Sequence, residues 1–175
     1  MSSIFLISLS FFEHLYGMDE INKNKKTYTP HQARLKAESY CAYQERAQQE
    51  VRDKLYGWGL HFEDVEQIIA QLIEDNFLNE ERFALAFAQG RFRVKGWGKV
   101  KIKHELRQRQ VSPTLIRIAL ARIDQGEYLD KLEEHIVKKT KEPTDKLSVT
   151  EKSKLIRYLQ SKGFENTLIF GRVMG

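Results

Sequence analysis

The feature that most limits the fold of this 175-residue chain is an internal repeat of apolar residues. Apolar residues spaced by four and then five recur three times, as Val51, Leu55 and Leu60, as Ile102, Leu106 and Val111, and as Leu155, Leu159 and Phe164. Such spacing is typical of amphipathic helices, and a period of 51 to 53 residues is long enough for three short helices. The sequence therefore predicts an all-α chain of three tandem three-helix repeats that stack into an elongated array.

Helix-start signals agree with this interpretation. A capping residue followed by proline or by acidic residues is typical of a helix N-terminus. The predicted starts are Thr29, Asn79, Ser112, Asp130 and Thr150 or a neighbour. Asp130 has Glu133 three residues later, which predicts a capping box, and the segment 126–130 resembles the connector 75–79. We therefore expect repeats at 29–76, 77–125 and 126–175.

Residues 1–28 show no match to the repeat and are predicted to be an extension or a misassigned start. Their apolar run, Ile4 to Phe12, is shorter than the roughly 20 residues that span a bilayer. It has no preceding cation and no small-residue cleavage site, so it is a poor signal peptide. A chain that starts at Met18 is expected to fold. The lone Cys41 excludes an internal disulfide and fits a reducing compartment, so we expect a cytoplasmic monomer without membrane contact.

Positive charge is concentrated in one segment, RFRVKGWGKVKIKHELRQR at 91–109. This segment carries net +7, whereas the whole chain carries +5 and residues 63–81 hold seven acids without a Lys or Arg. Such a cluster is either a solvated face or a surface for an anionic partner. The candidate nucleic-acid-binding and filament-binding residues are Arg91, Arg93, Lys95, Trp97, Lys99, Lys101, Lys103, Arg107 and Arg109.

The segment has two possible local structures. A β-hairpin that turns at Gly96-Trp97-Gly98 would place alternate cations on one face, whereas two helices that meet at the glycines would distribute them around both. The repeat favours helices, because Ile102 and Leu106 take the positions of Val51 and Leu55. Lys99, Lys103 and Arg107 should then share one exposed face. Trp97 lies at the corner, where it either packs or stacks on a base.

The stretch EDNFLNEERFALAFAQGRFRVKGWGKVKIKHELRQRQV resembles the central repeat of RecX-family recombination regulators. The matching motifs are the connector Phe77-Leu78-Asn79, the helix Arg82-Phe83-Ala84, the turn Lys95-Gly96-Trp97-Gly98, and the helix with Ile102 and Leu106. The resemblance extends over residues 33 to 173. It implies three tandem three-helix repeats and binding to RecA-type recombinase filaments, with inhibition of their ATPase and strand exchange. It also implies no catalytic residue and no cofactor.

One departure from the family pattern concerns the helix that ends before Val111. Gly59 and Gly163 precede the corresponding residues of the other repeats, where glycine permits a left-handed cap. Gln110 stands here instead, and in that conformation it would cost about 1 kcal/mol.

Catalytic motifs are lacking in the sequence, which has no HExxH, no P-loop and no CxxC. Glu63, Asp64 and Glu66 favour a helix N-terminus rather than a metal site, so no metal or cofactor is predicted. Two functions remain: a regulator that docks on a recombinase–DNA filament, or a stand-alone helical protein that binds single- and double-stranded DNA with little sequence specificity. The helix after Ser112 has only Thr114, Arg117 and Arg122 to reach base edges, which favours the filament regulator.

Overall fold

The computed structural model describes residues 27–140 and 142–175, so most of the predicted extension, including Met18, lies outside the described residues. The described part contains helices and no strand, which confirms the predicted all-α class. In chain order the helices are α1 (Pro30–Tyr43), α2 (Gln48–Gly57), α3 (Phe62–Glu74), α4 (Glu80–Lys95), α5 (Lys99–Gln108), α6 (Pro113–Ala121), α7 (Gln125–Lys139), a 3-10 turn (Thr144–Lys146), α8 (Val149–Lys162) and α9 (Asn166–Val173).

The helices form three tandem groups, α1–α3, α4–α6 and α7–α9, called repeats 1, 2 and 3 below. Most of the close helix packing is within a repeat: α1 and α2 pack on α3, α4 and α5 pack on α6, and α8 packs on α7 and α9. All nine apolar residues of the sequence repeat are buried. Burial of each such side chain contributes about 1.5–3 kcal/mol, so the repeated residues form the core of each unit.

The second helix of each repeat ends in the same way. Gly59, Gln110 and Gly163 all have positive φ, at 87°, 58° and 89°. In each case the amide of the next residue donates to a carbonyl five residues earlier, and in repeat 2 Val111 N–H reaches Leu106 O at 3.1 Å. Gln110 therefore adopts the left-handed conformation that the repeat requires, and the buried Val111 fixes it there.

One predicted helix start is wrong. The helix α7 begins at Gln125, and its N-cap is Asp124, whose side chain accepts from Glu127 N–H at 2.9 Å. Asp130 is therefore inside the helix, and the segment 126–130 is not a connector. The earlier start brings Tyr128 into the helix, where it is buried. The predicted start of α8, at Thr150 or a neighbour, is confirmed, and its capping box is formed by Ser148 and Glu151.

The buried side chains form two apolar clusters. The first lies within repeat 1 and ends with Leu78 in the linker. The second runs without a break through repeats 2 and 3, and Ala47 is the one residue of repeat 1 that joins it. The two junctions between repeats therefore differ in their packing, and the predicted basic segment lies between them.

Candidate nucleic-acid interface

The basic segment consists of the end of α4, a three-residue turn and α5, so the hairpin alternative is wrong. Gly96 caps α4 in the left-handed conformation, with φ 61°. The amide of Trp97 then donates to Arg91 O at 3.2 Å, which closes the turn. Trp97 is half-buried and packs against the core shared by repeats 2 and 3, as expected for a corner residue.

The N-terminus of α5 is capped by groups from repeat 3. Gly98, its N-cap residue, has no side chain that could accept a hydrogen bond. Instead Gly98 N–H donates to Lys162 O at 2.9 Å, and Val100 N–H donates to Gly163 O at 3.0 Å. The amide of Lys99 donates to the Tyr128 hydroxyl at 2.8 Å. Three N–H groups that a helix start leaves without partners are thus satisfied by the neighbouring repeat.

This contact depends on close approach of two backbones. A Cβ atom added to Gly98 would lie 2.1 Å from Gly163 O and 2.4 Å from Phe164 N. The Tyr128 hydroxyl donates in turn to the Glu165 carboxylate at 2.6 Å. Burial raises the pKa of Tyr128, and the bond to Glu165 raises it further. The turn that carries the basic residues is therefore fixed by hydrogen bonds from three backbone amides to repeat 3.

Trp97 and Phe87 hold one group of the predicted cations. The Arg91 guanidinium lies 5.3 Å from the Trp97 ring centre and 4.9 Å from that of Phe87. Lys101 Nζ lies 4.7 Å from the Trp97 ring centre, and Arg109 lies 4.9 Å from that of Phe87. A contact with an aromatic face orients a cation without neutralising it. In the described part of the chain, Arg91 and Lys101 make no ion pair.

Arg109 differs from these two residues. Its guanidinium pairs with Glu105 at 2.9 Å, and with Glu50 of repeat 1 at 3.2 Å. Its charge is therefore largely balanced by two carboxylates. The structure gives Arg109 a role in joining α5 to repeat 1, which the sequence did not indicate.

A second group of cations faces α7. Arg93 pairs with Glu127 at 3.5 Å, and Lys99 Nζ lies 4.6 Å from the Tyr128 ring centre and 3.4 Å from the Gln125 amide oxygen. Lys99 is half-buried, so the expectation that it is exposed together with Lys103 and Arg107 is wrong for this one residue. The N-terminus of α5 is in contact with repeat 3, and this contact covers the Lys99 side chain.

Lys95, Lys103 and Arg107 are exposed. Among the described residues, no carboxylate lies within ion-pair distance of these three side chains. Together with Arg91, Lys99 and Lys101 they leave six of the eight predicted cations without a carboxylate partner in the described part of the chain. The nine predicted site residues are therefore neighbours on two helices, but they do not form a single face.

Sequence reasoning missed the part of this surface that repeat 1 contributes. Gln44, Arg46 and Phe87 line a groove at the junction of repeats 1 and 2, together with Arg91 and Lys95. The Arg46 guanidinium lies 3.8 Å from the ring centre of Tyr40. A signal was present, because Tyr40 and Arg46 lie 51 residues before Arg91 and Trp97, which is the period of the repeat. The two repeats thus have an aromatic–cation pair at equivalent positions, with the two residue types exchanged.

Within residues 27–140 and 142–175, no helix is both long and apolar enough to cross a membrane. The same residues contain no group of three or more His, Cys, Asp or Glu side chains that could hold a metal ion. Burial raises the pKa of the Cys41 thiol to about 11, so this side chain is a small apolar core residue at neutral pH.

Three models of one protein family match the chain in order. Residues 33–72 match the first three-helix domain of RecX, residues 79–120 match the second, and residues 126–171 match the third. Together these matches cover most of the chain. The protein therefore belongs to the RecX family of regulatory proteins, as the resemblance in its sequence predicted.

Individual relatives agree with this assignment. The chain is 31% identical over 153 residues to a regulatory protein RecX from Lactobacillus johnsonii, an alignment that covers 87% of this chain and 56% of the relative. It is 30% identical over 127 residues to the protein of the same name from Streptococcus gordonii, which covers 71% and 48%. The chain thus spans about half the length of the curated relatives that it matches.

A solved structure supports the fold. The crystal structure of RecX from Lactobacillus salivarius superposes with a TM-score of 0.73 at 21% identity, over 83% of this chain and 94% of that chain. At this identity the match establishes the fold alone.

Proposed function

We propose that the protein is a cytoplasmic regulator that binds RecA-type recombinase filaments on DNA and inhibits their ATPase and strand exchange. Membership in a family of regulatory proteins carries the proposal. The surface around Trp97 supports the nucleic-acid part, because six neighbouring cations have no carboxylate partner in the described part of the chain. Such cations bind phosphate and release condensed counterions, which favours contact with a DNA backbone of any sequence.

The stand-alone DNA-binding function has less support. A recognition helix needs polar side chains that reach base edges in the major groove. The third helix of repeat 2, α6, exposes only Thr114 and Arg117 as hydrogen-bonding side chains. The cations that are available lie on the first and second helices instead. Contact with phosphates, rather than sequence readout, is the mode that this arrangement favours.

The direct test is the ATPase rate of an assembled RecA-type recombinase filament on single-stranded DNA, titrated with this protein. We expect the rate to fall as the protein is added. An unchanged rate at saturating protein would reject the proposed inhibition. When binding of the free protein to DNA is followed against salt, the four phosphate contacts expected of the basic segment should contribute about −3 to the log–log slope on single strands.

Variants can separate the two cation groups. The double substitution Lys103→Glu and Arg107→Glu changes exposed residues of α5, whereas Arg91→Gln and Lys101→Gln change the group that lies over Trp97. We expect both variants to keep their helicity and to inhibit the filament less. If either folded variant inhibits normally, that group of cations is a solvated surface. Lys138→Glu with Lys139→Glu, at the end of α7, is the control for a charge change elsewhere.

A further inference from the structure

The grooves on the surface of repeat 1 join the groove at the Trp97 surface. A groove on α1 and α2 is lined by Lys36, Tyr40, Lys54 and Trp58. The next groove along shares Tyr40, Lys54 and Trp58 and adds Arg46. Arg46 also lines the groove at the junction of repeats 1 and 2, which reaches Arg91 and Lys95. A continuous depression therefore runs from α1 to the end of α4.

Cations and aromatic rings alternate along this depression. Lys36 Nζ lies 4.9 Å from the Tyr28 ring centre and 5.8 Å from that of Trp58. Lys54 Nζ lies 5.6 Å from the Tyr40 ring centre, on which Arg46 also lies. The same pattern continues at Phe87 and Trp97, where Arg91 lies over both rings.

The cations of this path are not neutralised by carboxylates. In the described part of the chain, Lys36, Arg46 and Lys54 form no ion pair. Three carboxylates line the path. Glu45 is paired with Arg82 and Glu50 with Arg109, and Asp53 accepts from the Gln49 amide at 2.8 Å. A row of cations that are oriented by rings but not neutralised is complementary to a chain of phosphates rather than to one anion.

We propose that repeat 1 holds a second nucleic-acid site, made by Lys36, Arg46 and Lys54, and that one single strand runs from it to the Trp97 surface of repeat 2. A concave path with cations and aromatic rings is typical of sites for single strands, whereas a duplex is read by an element that enters its groove. The inference extends the DNA contact of the proposed function into repeat 1.

A peptide is the less favoured occupant. An acidic partner segment would also meet the cations, and exposed Val94 offers it an apolar contact in the junction groove. The remainder of the path, around Tyr40 and Trp58, offers ring edges and cations with few apolar side chains.

The test compares three variants in binding to a thymidine single strand of about 15 nucleotides. The first carries Lys36→Gln, Arg46→Gln and Lys54→Gln, and the second carries Arg91→Gln and Lys101→Gln. The matched control carries Arg117→Gln, Arg122→Gln and Lys138→Gln, three exposed cations away from the path. Circular dichroism verifies that all three keep the helicity of the parent.

We expect the repeat 1 variant to bind about tenfold or more weakly near 0.1 M salt, with a log–log salt slope less steep by about 2. The control should keep the affinity and slope of the parent within about twofold. Tryptophan fluorescence can report on repeat 1 alone, because Trp97→Phe leaves Trp58 as the only tryptophan of the sequence. The emission of Trp58 should change when this variant is saturated with the strand.

Other results would overturn the proposal. If the repeat 1 variant binds the strand like the parent and the Arg91/Lys101 variant does not, the nucleic-acid site ends at repeat 2 and the proposed function stands. If the repeat 1 variant binds the strand normally but no longer inhibits the filament ATPase, the path contacts protein. If the parent does not bind the strand at all, the DNA contact of the proposed function fails as well.

Discussion

The two junctions between repeats are built from different interactions. Between repeats 2 and 3 the apolar core is continuous, with the Tyr128 ring centre 5.9 Å from that of Phe92 and 5.3 Å from that of Phe164. Between repeats 1 and 2 the apolar clusters are separate except for Ala47, and the side-chain ion pairs that link them join Arg82 to Glu45 and Arg109 to Glu50.

The difference indicates how firmly each junction is held. A buried apolar contact with backbone hydrogen bonds is insensitive to salt, whereas partly exposed ion pairs contribute little and are screened. Repeats 2 and 3 should therefore unfold as one unit. Repeat 1, with a core of its own, is joined to that unit less strongly. Four predictions test this comparison, from the largest expected effect to the smallest.

The largest effect is expected for Gly98→Ala. The added Cβ would lie within 2.4 Å of three backbone atoms, Gly163 O, Gly163 C and Phe164 N, so the two repeats must separate. We expect the free energy of unfolding to fall by about 3 kcal/mol or more, as for severe overpacking. Urea unfolding followed by circular dichroism measures this loss.

Gly90→Ala is the matched control for Gly98→Ala. Gly90 lies inside α4, and a Cβ there would have nothing within 4 Å. Because alanine is the better helix former, this variant should be more stable by about 0.5–1 kcal/mol. Equal losses in both variants would show that the Gly98–Gly163 approach does not hold the junction.

Tyr128→Phe should have the second largest effect. It removes the hydroxyl that accepts from Lys99 N–H and donates to Glu165, and it leaves the ring in place. A buried amide without a partner costs about 1–3 kcal/mol. Tyr43→Phe, at a side chain that is 83% exposed, should change the free energy of unfolding by less than about 0.5 kcal/mol.

The third prediction concerns pH at the same junction. His135 Nε2 lies 2.9 Å from Gly96 O, which can only accept, so Nε2 carries the proton and Nδ1 accepts from the Tyr158 hydroxyl at 2.9 Å. Burial lowers the pKa of His135, and the nearby Lys162 and Lys131 lower it further. The bond to Gly96 and the charge of Glu134 act in the opposite direction but are outweighed.

Because the pKa of His135 is lower in the folded than in the unfolded protein, the unfolded protein binds more protons at mildly acidic pH. The contribution of this histidine is complete above its ordinary pKa of 6.5 and is lost as pH falls through the lower pKa of the folded protein. We expect stability to decrease between about pH 7.5 and 5.5, and to decrease less in His135→Gln. Parallel pH curves for the two proteins would contradict this assignment.

Much of the fold could be predicted from the sequence because the buried apolar positions recur with the period of the repeat. Val51, Ile102 and Leu155 are equivalent, and all three are buried. The start of α7 could not be found in this way. Asp130 and Glu133 have capping-box spacing, yet the burial of Tyr128 requires a helix that starts earlier, at Gln125. Asp124 has Glu127 three residues later as well, so local spacing offers two starts, and the burial of Tyr128 selects the first.

The sequence predicted which cations belong to the candidate site, but not how their side chains are arranged and paired. Charge counting cannot tell Arg109, which pairs with Glu50, from Lys103, which has no carboxylate partner in the described part of the chain. These pairings depend on contacts between residues about 60 positions apart, as between Glu50 and Arg109. The contribution of repeat 1 was missed because its cations are scattered in sequence and only meet in the folded groove.

The smallest effect is expected for Glu50→Gln, which tests the junction between repeats 1 and 2. The substitution removes the charge that pairs with Arg109 but keeps an oxygen that can accept from Ala47 N–H. Because the pair is partly exposed, we expect the free energy of unfolding to fall by about 0.2–1 kcal/mol, and by less as salt is raised.

Glu66→Gln, which breaks the pair with Arg52 inside repeat 1, is the control for a lost surface charge. Both variants should slightly lower the free energy of unfolding of repeat 1. Only Glu50→Gln should increase the rate of amide hydrogen exchange around Ala47 at low salt. A loss well above 1 kcal/mol that persists in high salt would mean that the junction between repeats 1 and 2 is as firmly packed as the one between repeats 2 and 3.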